Sequence, residues 1–213
     1  MSSSVSRKRV RKDPATRRAE IVDAAAAIAL AEGLECITLR RIGEELDVRP
    51  GLISHYFPAV DDLVAEAFGS AASGELDTLL PLDRAGDTPL RHMARFLART
   101  VGDDYDAISR LWINARHLSR YRPVLRDRVA GQEAAWRGRL EGLIKEGVAA
   151  GEFRTDDPLV AAIQILVVLD GLGAHANSAG TPDRPPAVIR LAATTAEREL
   201  GLPPDTLASH PRP

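Results

Sequence analysis

The stretch Thr38 to Phe57, reading TLRRIGEELDVRPGLISHYF, constrains the fold more than any other part of the chain. Two short runs with apolar residues at helical spacing are joined by a turn too short for the helices to lie antiparallel. The second helix must therefore project outward, as a helix entering a DNA groove does. The first is expected from about Leu39 to Leu46, with the Thr38 hydroxyl placed to accept from a free first-turn N–H. Leu39, Ile42 and Leu46 make one buried face, leaving Arg40 and Arg41 outside. Asp47 and Val48 form the turn. The second helix starts near Arg49, with Pro50 at its first position, where a missing N–H costs nothing. Ile53 and Phe57, four apart, anchor that helix, so Arg49, Gly51, Ser54 and His55 fall on or near its opposite side, with Tyr56 toward an edge.

Base readout needs donors on the exposed N-terminal side of such a helix, and Arg49, Ser54 and His55 supply them. Gly51 has no side chain to hold the backbone away from DNA. Together with the helical segment before it, this stretch resembles the DNA-binding domain of the TetR family of one-component transcriptional regulators, and the run from Gly51 to Phe57 is similar to the BetI-like branch. The resemblance covers roughly residues 15 to 68. It implies a phosphate-contacting role for Tyr56, while Thr38 and Arg40 are candidates for backbone phosphate from the preceding helix. The expected DNA-binding set is thus Thr38, Arg40, Arg49, Pro50, Gly51, Ser54, His55 and Tyr56. Three positions depart from the family pattern. Asp47 and Arg49 stand where the family usually has Gly and then Ser, which removes the usual cap of the second helix. Val60 stands where it usually has a Lys, a phosphate contact for which Arg49 is the candidate replacement.

No segment alternates with period two, so an all-α protein of about nine helices is expected: an N-terminal three-helix helix-turn-helix domain and a C-terminal helical ligand-binding and dimerisation domain. Residues 1–13 are Ser-rich and then basic, and read as a disordered arm that follows phosphates. Residues 14–60 form the DNA-binding domain, 61–202 the effector-binding and dimerisation domain, and 203–213, with four prolines, a disordered tail. Within the first 18 residues Arg7, Lys8, Arg9, Arg11, Lys12, Arg17 and Arg18 face a single acid, Asp13. Proline and cap residues place further helices: Asp13 and Pro14 to Gly33, about Asp61 to Leu80, Thr88 and Pro89 onward, about Asp104 to Arg120, Pro123 to about Ala150, Asp157 to about Ala176, and Pro186 to Leu200. The segment between the last two is read as a flexible loop.

The helix from Asp157 to Ala176 is the most apolar. Its apolar stretch, Leu159 to Leu169, is interrupted by Gln164 and ends at Asp170, so it reads as a buried or interfacial helix rather than a membrane span, and the basic N-terminus is followed by no apolar segment, so a cytoplasmic protein is expected. Its apolar residues spread over more than one face, as in a helix covered on both sides. One short helix per head supplies little specificity, so a homodimer reading an inverted-repeat operator in double-stranded DNA is expected. The resemblance implies the same, with the last two helices pairing with their copies. In the middle helices Tyr105, Trp112, His117 and Trp136 are the candidate ligand-binding residues for an unidentified small-molecule effector, the two Trp rings as its wall. The five histidines show no metal-binding pair at i, i+4, and neither a Gly-rich phosphate loop nor a nucleophile elbow is present, so no catalytic residue, metal or cofactor is expected. With one cysteine, Cys36, an internal disulfide is excluded. The rival readings are a dimeric adaptor of the same fold with lost DNA binding and, less favoured, a small enzyme.

Overall fold

Short polar side chains and prolines set most helix starts. The computed structural model describes residues 13–83, 86–101, 103–178 and 184–208, the side chains of residues 103 and 104 excepted. Among these residues all regular structure is helical, comprising ten α-helices and one 3-10 turn. Helix α1, Pro14–Glu32, begins where the Asp13 carboxylate accepts from the Ala15 and Thr16 N–H groups at 3.1 and 3.2 Å. It ends at Gly33, whose φ of 105° suits a residue without a Cβ. The 3-10 turn Leu34–Cys36 follows, then α2, Leu39–Glu45, capped by the Thr38 hydroxyl, which accepts from Arg41 N at 3.0 Å. Helix α3 spans Pro50–Tyr56, α4 Val60–Leu79, α5 Pro89–Arg99 and α6 Asp103–Ser119. Helix α7, Pro123–Ala149, is a rod about 40 Å long. Helix α8 spans Pro158–Ala176 and is capped by Asp157; α9, Pro186–Ile189, and α10, Leu191–Glu199, complete the chain. The last helix was expected in one piece; its ladder is interrupted at Arg190, and the 3-10 turn after Gly33 is also an addition to the expected elements.

Helix α4 organises the core. It packs along α1 on one side and α7 on another, with α6 also against it, and Leu63, Val64, Ala67, Phe68, Ala72 and Leu76 are buried. Small residues allow the close approach: Ala25, Ala26 and Ala29 of α1 are buried beside Ile21 and Ile28. Where α6 meets α8, a Cβ on Gly173 would stand 2.7 Å from the Ser109 hydroxyl, so Gly173 permits that crossing. Helix α8 packs on α6, α7 and α10, burying Ala161, Ala162, Ile165, Leu169 and Leu172. Its length and composition would also suit a membrane span, but one side is committed to this core.

A second tie joins α6 to the 3-10 turn. Leu34 N–H donates to Asn114 Oδ1 at 2.9 Å, and Asn114 Nδ2 donates to Glu35 Oε2 at 2.8 Å. The segment after Pro203, expected to be disordered, folds back as far as Ala208. The buried Glu197 carboxylate accepts from Asp205 N at 3.2 Å and Leu207 N at 2.9 Å, and Leu207 is 4% exposed. A buried carboxylate needs such donors, which here come from the proline-rich turn. The basic arm from Arg7 to Lys12, most of the loop between α8 and α9, and residues 209–213 lie outside the described residues.

Candidate DNA-binding surface and ligand cavity

The angle between α2 and α3 rests on Gly43. A Cβ there would meet the Val48 carbonyl oxygen at 2.8 Å and the Pro50 ring at 3.5 Å, so any larger residue would push the turn open. Asp47, at the position of the family's usual glycine, has φ +50°, a left-handed conformation that Asp tolerates better than most residues. The departure in sequence therefore leaves the turn geometry intact. A second departure has a cost, since Arg49 makes no side-chain cap bond to α3. Ile53 and Phe57, at 0% and 1% exposure, hold α3 to the core.

The opposite face of this unit is open. Thr38, Arg40, Arg49, Pro50, Gly51 and His55 are exposed, and Ser54 and Tyr56 half-buried. Nothing lies within 4 Å of where a Gly51 Cβ would be. Arg40 Nε pairs with Glu44 at 2.8 Å, the Ser54 hydroxyl donates to the Gly51 carbonyl at 3.2 Å, and the His55 and Tyr56 rings meet edge-on at 5.3 Å. The two cations of the N-terminal cluster that lie within α1 are tied to the scaffold. Arg17 pairs with Glu20, and Arg18 pairs with Glu66 of α4 while its guanidinium lies 4.6 Å over the Phe57 ring.

A half-open cavity of about 190 Å³ lies between α4, α6, α7 and α8 of the body. Tyr105, Trp112 and Trp136 line it, whereas His117 is exposed and turns edge-on to Tyr121 at 5.9 Å. Five charged groups that the aromatic pattern did not reveal line it as well: Glu75, Arg116, Glu133, Arg137 and Asp170. Arg116 bonds to Glu133 and to Asp170, each at 2.9 Å, and lies 5.2 Å over the Trp112 ring. Glu75 accepts from the Trp112 indole N–H at 2.8 Å. Burial, with the Asp170 charge adding to it, pushes the Glu75 carboxyl up to about 7 against that hydrogen bond. Burial likewise raises the Tyr105 hydroxyl, with Glu75 and Asp170 contributing. The Trp136 indole N–H is buried with no acceptor in the structure. Among the described residues no group of three His, Cys, Asp or Glu side chains could hold a metal ion.

An open second helix in a helix-turn-helix, carried by an all-helical body, defines a DNA-binding transcription regulator. Family models agree: that for tetR-family bacterial regulatory proteins matches residues 21–67, and that for the C-terminal domain of BetI-type transcriptional repressors matches residues 88–201. The chain belongs to the TetR family. Solved structures similar to it include GusR of Salmonella enterica (18% identity over 89% of this chain and 98% of that one, TM-score 0.68). A TetR transcription regulator from Haloarcula marismortui is similar at 19% identity, 88% and 97% coverage and TM-score 0.69. So is a transcriptional regulator from Saccharomonospora viridis in complex with choline, at 18% identity, 86% and 95% coverage and TM-score 0.69. No curated protein matches the sequence.

Proposed function

We propose that two copies of this chain bind an inverted-repeat operator in double-stranded DNA and that a small molecule in the body cavity releases them, so that the protein acts as a ligand-responsive repressor in the cytoplasm. The open face of α3, with its apolar anchors Ile53 and Phe57 buried behind it, carries this reading. Arg49, Ser54 and His55 reach base edges. Thr38, Arg40 and Tyr56 take backbone phosphates, and Pro50 and Gly51 let the start of α3 come close. Arg40 exchanges Glu44 for phosphate, a cheap exchange for an ion pair with side-chain exposures of 86% and 55%. Residues 14–60 are the head and 61–202 the body.

A second copy is supported by α8, whose outer side leaves Leu159, Val160, Ile163 and Val167 exposed, with Leu191 of the neighbouring α10. An apolar face of this kind suits a two-fold partner presenting the same helices. Tyr105, Trp112 and Trp136 are the wall of the effector site; His117, facing solvent, is left out of it. A similar regulator has been solved in complex with choline, which supports a small-molecule effector for this chain. An effector that prefers the arrangement with the heads wrongly spaced lowers operator affinity in proportion to its differential affinity for the two states, with α4 as the transmitting element.

Selection of bound duplexes from a random DNA pool, using the full chain, tests the reading. Enrichment of an inverted repeat, lost when Arg49 and Tyr56 are both replaced by Ala, is the expected result. Absence of enrichment favours the dimeric adaptor, a reading supported by the uncapped α3 and by Val60 at the family's usual Lys position.

A further inference from the structure

We propose that the turn joining α6 to α7 is a second DNA-contacting surface, on which Arg120, Arg126 and Arg128 take backbone phosphates of the duplex beside the groove that α3 enters; the inference rests on the DNA-binding reading. From Arg116 to Arg128 the sequence carries five arginines and one acid, Asp127, in a chain of formal net charge −2. The fold sets this segment against the head. Arg122 lies 3.7 Å from Asp61 in the first turn of α4. Val124 and Arg128 share a surface groove of about 160 Å³ with Tyr56, Phe57 and Pro58, where α3 ends. Tyr56, the phosphate contact at that end of α3, therefore lines the same groove as Arg128.

Matching the charges around the groove leaves cations over. Arg18 pairs with Glu66 and Arg122 with Asp61, while Arg126 lies 4.0 Å from the carboxylate of its neighbour Asp127, both side chains being exposed. Among the described residues no acid pairs with Arg120 or Arg128, and both are exposed. Asp62 is the acid left over in the groove. Arg128 is also seated: a Cβ on Gly69 would come within 2.8 Å of its Cδ, so its stem lies on bare α4 backbone. A seated side chain gives up less rotamer freedom when it takes a phosphate. Tyr121, 73% exposed, adds a hydroxyl donor on the same turn. The start of α4 supplies no such charge, because its first turn carries Asp61 and Asp62. These arginines would attract an acidic protein as well, but their continuity with the open face of α3 favours the duplex. Contacts of this kind add affinity by counterion release and carry no sequence information.

The test uses the full chain and two duplexes of equal length, the inverted repeat recovered by selection and a random sequence. Arg120→Gln, Arg126→Gln and Arg128→Gln together should weaken binding to both, by about tenfold or more at low salt, and should make log affinity against log salt shallower by about 1 for each arginine lost. The ratio of the two affinities should hold, whereas Arg49→Ala lowers it. Arg→Lys at the same three positions keeps the charge and should restore the slope. In the unsubstituted protein, duplex should shield these three arginines from phenylglyoxal, read by peptide mass spectrometry. Unchanged affinity and slope in the Gln variant, a loss confined to the inverted repeat, no recovery with Lys, or equal phenylglyoxal modification with and without duplex would overturn the proposal. Inverted-repeat binding by the unsubstituted chain with an indifferent Gln variant overturns this inference alone and leaves the DNA-binding reading standing. A chain that binds neither duplex overturns both.

Discussion

Two of the contacts between head and body are opposite in character. Along α4 the interior of the junction is apolar, with Leu63, Val64, Ala67 and Phe68 all at 0% exposure, and the Arg18–Glu66 pair lies at its margin. At the 3-10 turn it is two directional hydrogen bonds to one side chain, Asn114 of α6. An apolar contact weakens gradually as surfaces slide, whereas a hydrogen bond is lost over about an ångström. The first junction therefore suits a hinge and the second a latch. The cavity touches both helices concerned, through Glu75 on α4 and through Trp112 and Arg116, which flank Asn114 on α6.

Breaking the apolar junction should have the largest effect. Phe68, buried and edge-on to Trp112 at 5.0 Å, joins α4 to α6, and Phe68→Ala should cost about 3–5 kcal/mol in urea unfolding. A loss below about 1 kcal/mol would mean that Phe68 does not hold α4 to the core. Next comes the cavity end of α4. Because burial raises the Glu75 carboxyl from its ordinary 4.5 to about 7, the folded state holds that proton more tightly than the unfolded chain does. The stability contributed is present at low pH and lost as pH rises from about 4.5 to 7. Glu75→Gln, which mimics the protonated form, should match the unsubstituted protein at pH 4 and exceed it by on the order of 2 kcal/mol at pH 8. Equal melting curves at pH 8 would remove the buried-charge account.

The latch should be worth less. Asn114→Ala should cost about 1 kcal/mol of global stability. Its signature is local: hydrogen exchange at the Leu34 amide should accelerate while amides within α4 stay protected, and uniform acceleration would erase the distinction between the two junctions. The smallest effect lies away from both. Arg49→Ser restores a capping side chain to α3 and should add about 0.5–1 kcal/mol to stability. Operator affinity should fall in the same variant; if it does not, Arg49 is not a DNA contact.

Most of the helices were legible in the sequence because their starts are chemically local. Asp13, Thr38, Thr88 and Asp157 cap through their own side chains, and Pro14, Pro50, Pro89, Pro123, Pro158 and Pro186 occupy first positions. The anchoring of α3 by Ile53 and Phe57 followed from spacing alone. The cavity was only half legible. Tyr105, Trp112 and Trp136 stand out by type, but Glu75, Glu133 and Asp170 look like any surface acids until four helices assemble around them. His117 shows the converse: it follows Arg116 directly, yet one step of helix rotation, about 100°, points it to solvent. The role of Gly43 was hidden for a similar reason, because its neighbour is a carbonyl oxygen across the turn, which no side-chain pattern encodes.

Cys36 closes the 3-10 turn that Asn114 holds, its thiol donating to the Glu32 carbonyl at 3.4 Å, and it is the one cysteine in the chain. The protein thus carries a native attachment point for a fluorine or nitroxide reporter directly beside the latch. In a two-fold pair, that single labelling reaction would yield two equivalent spins, and their separation would serve as a ruler for head spacing in solution.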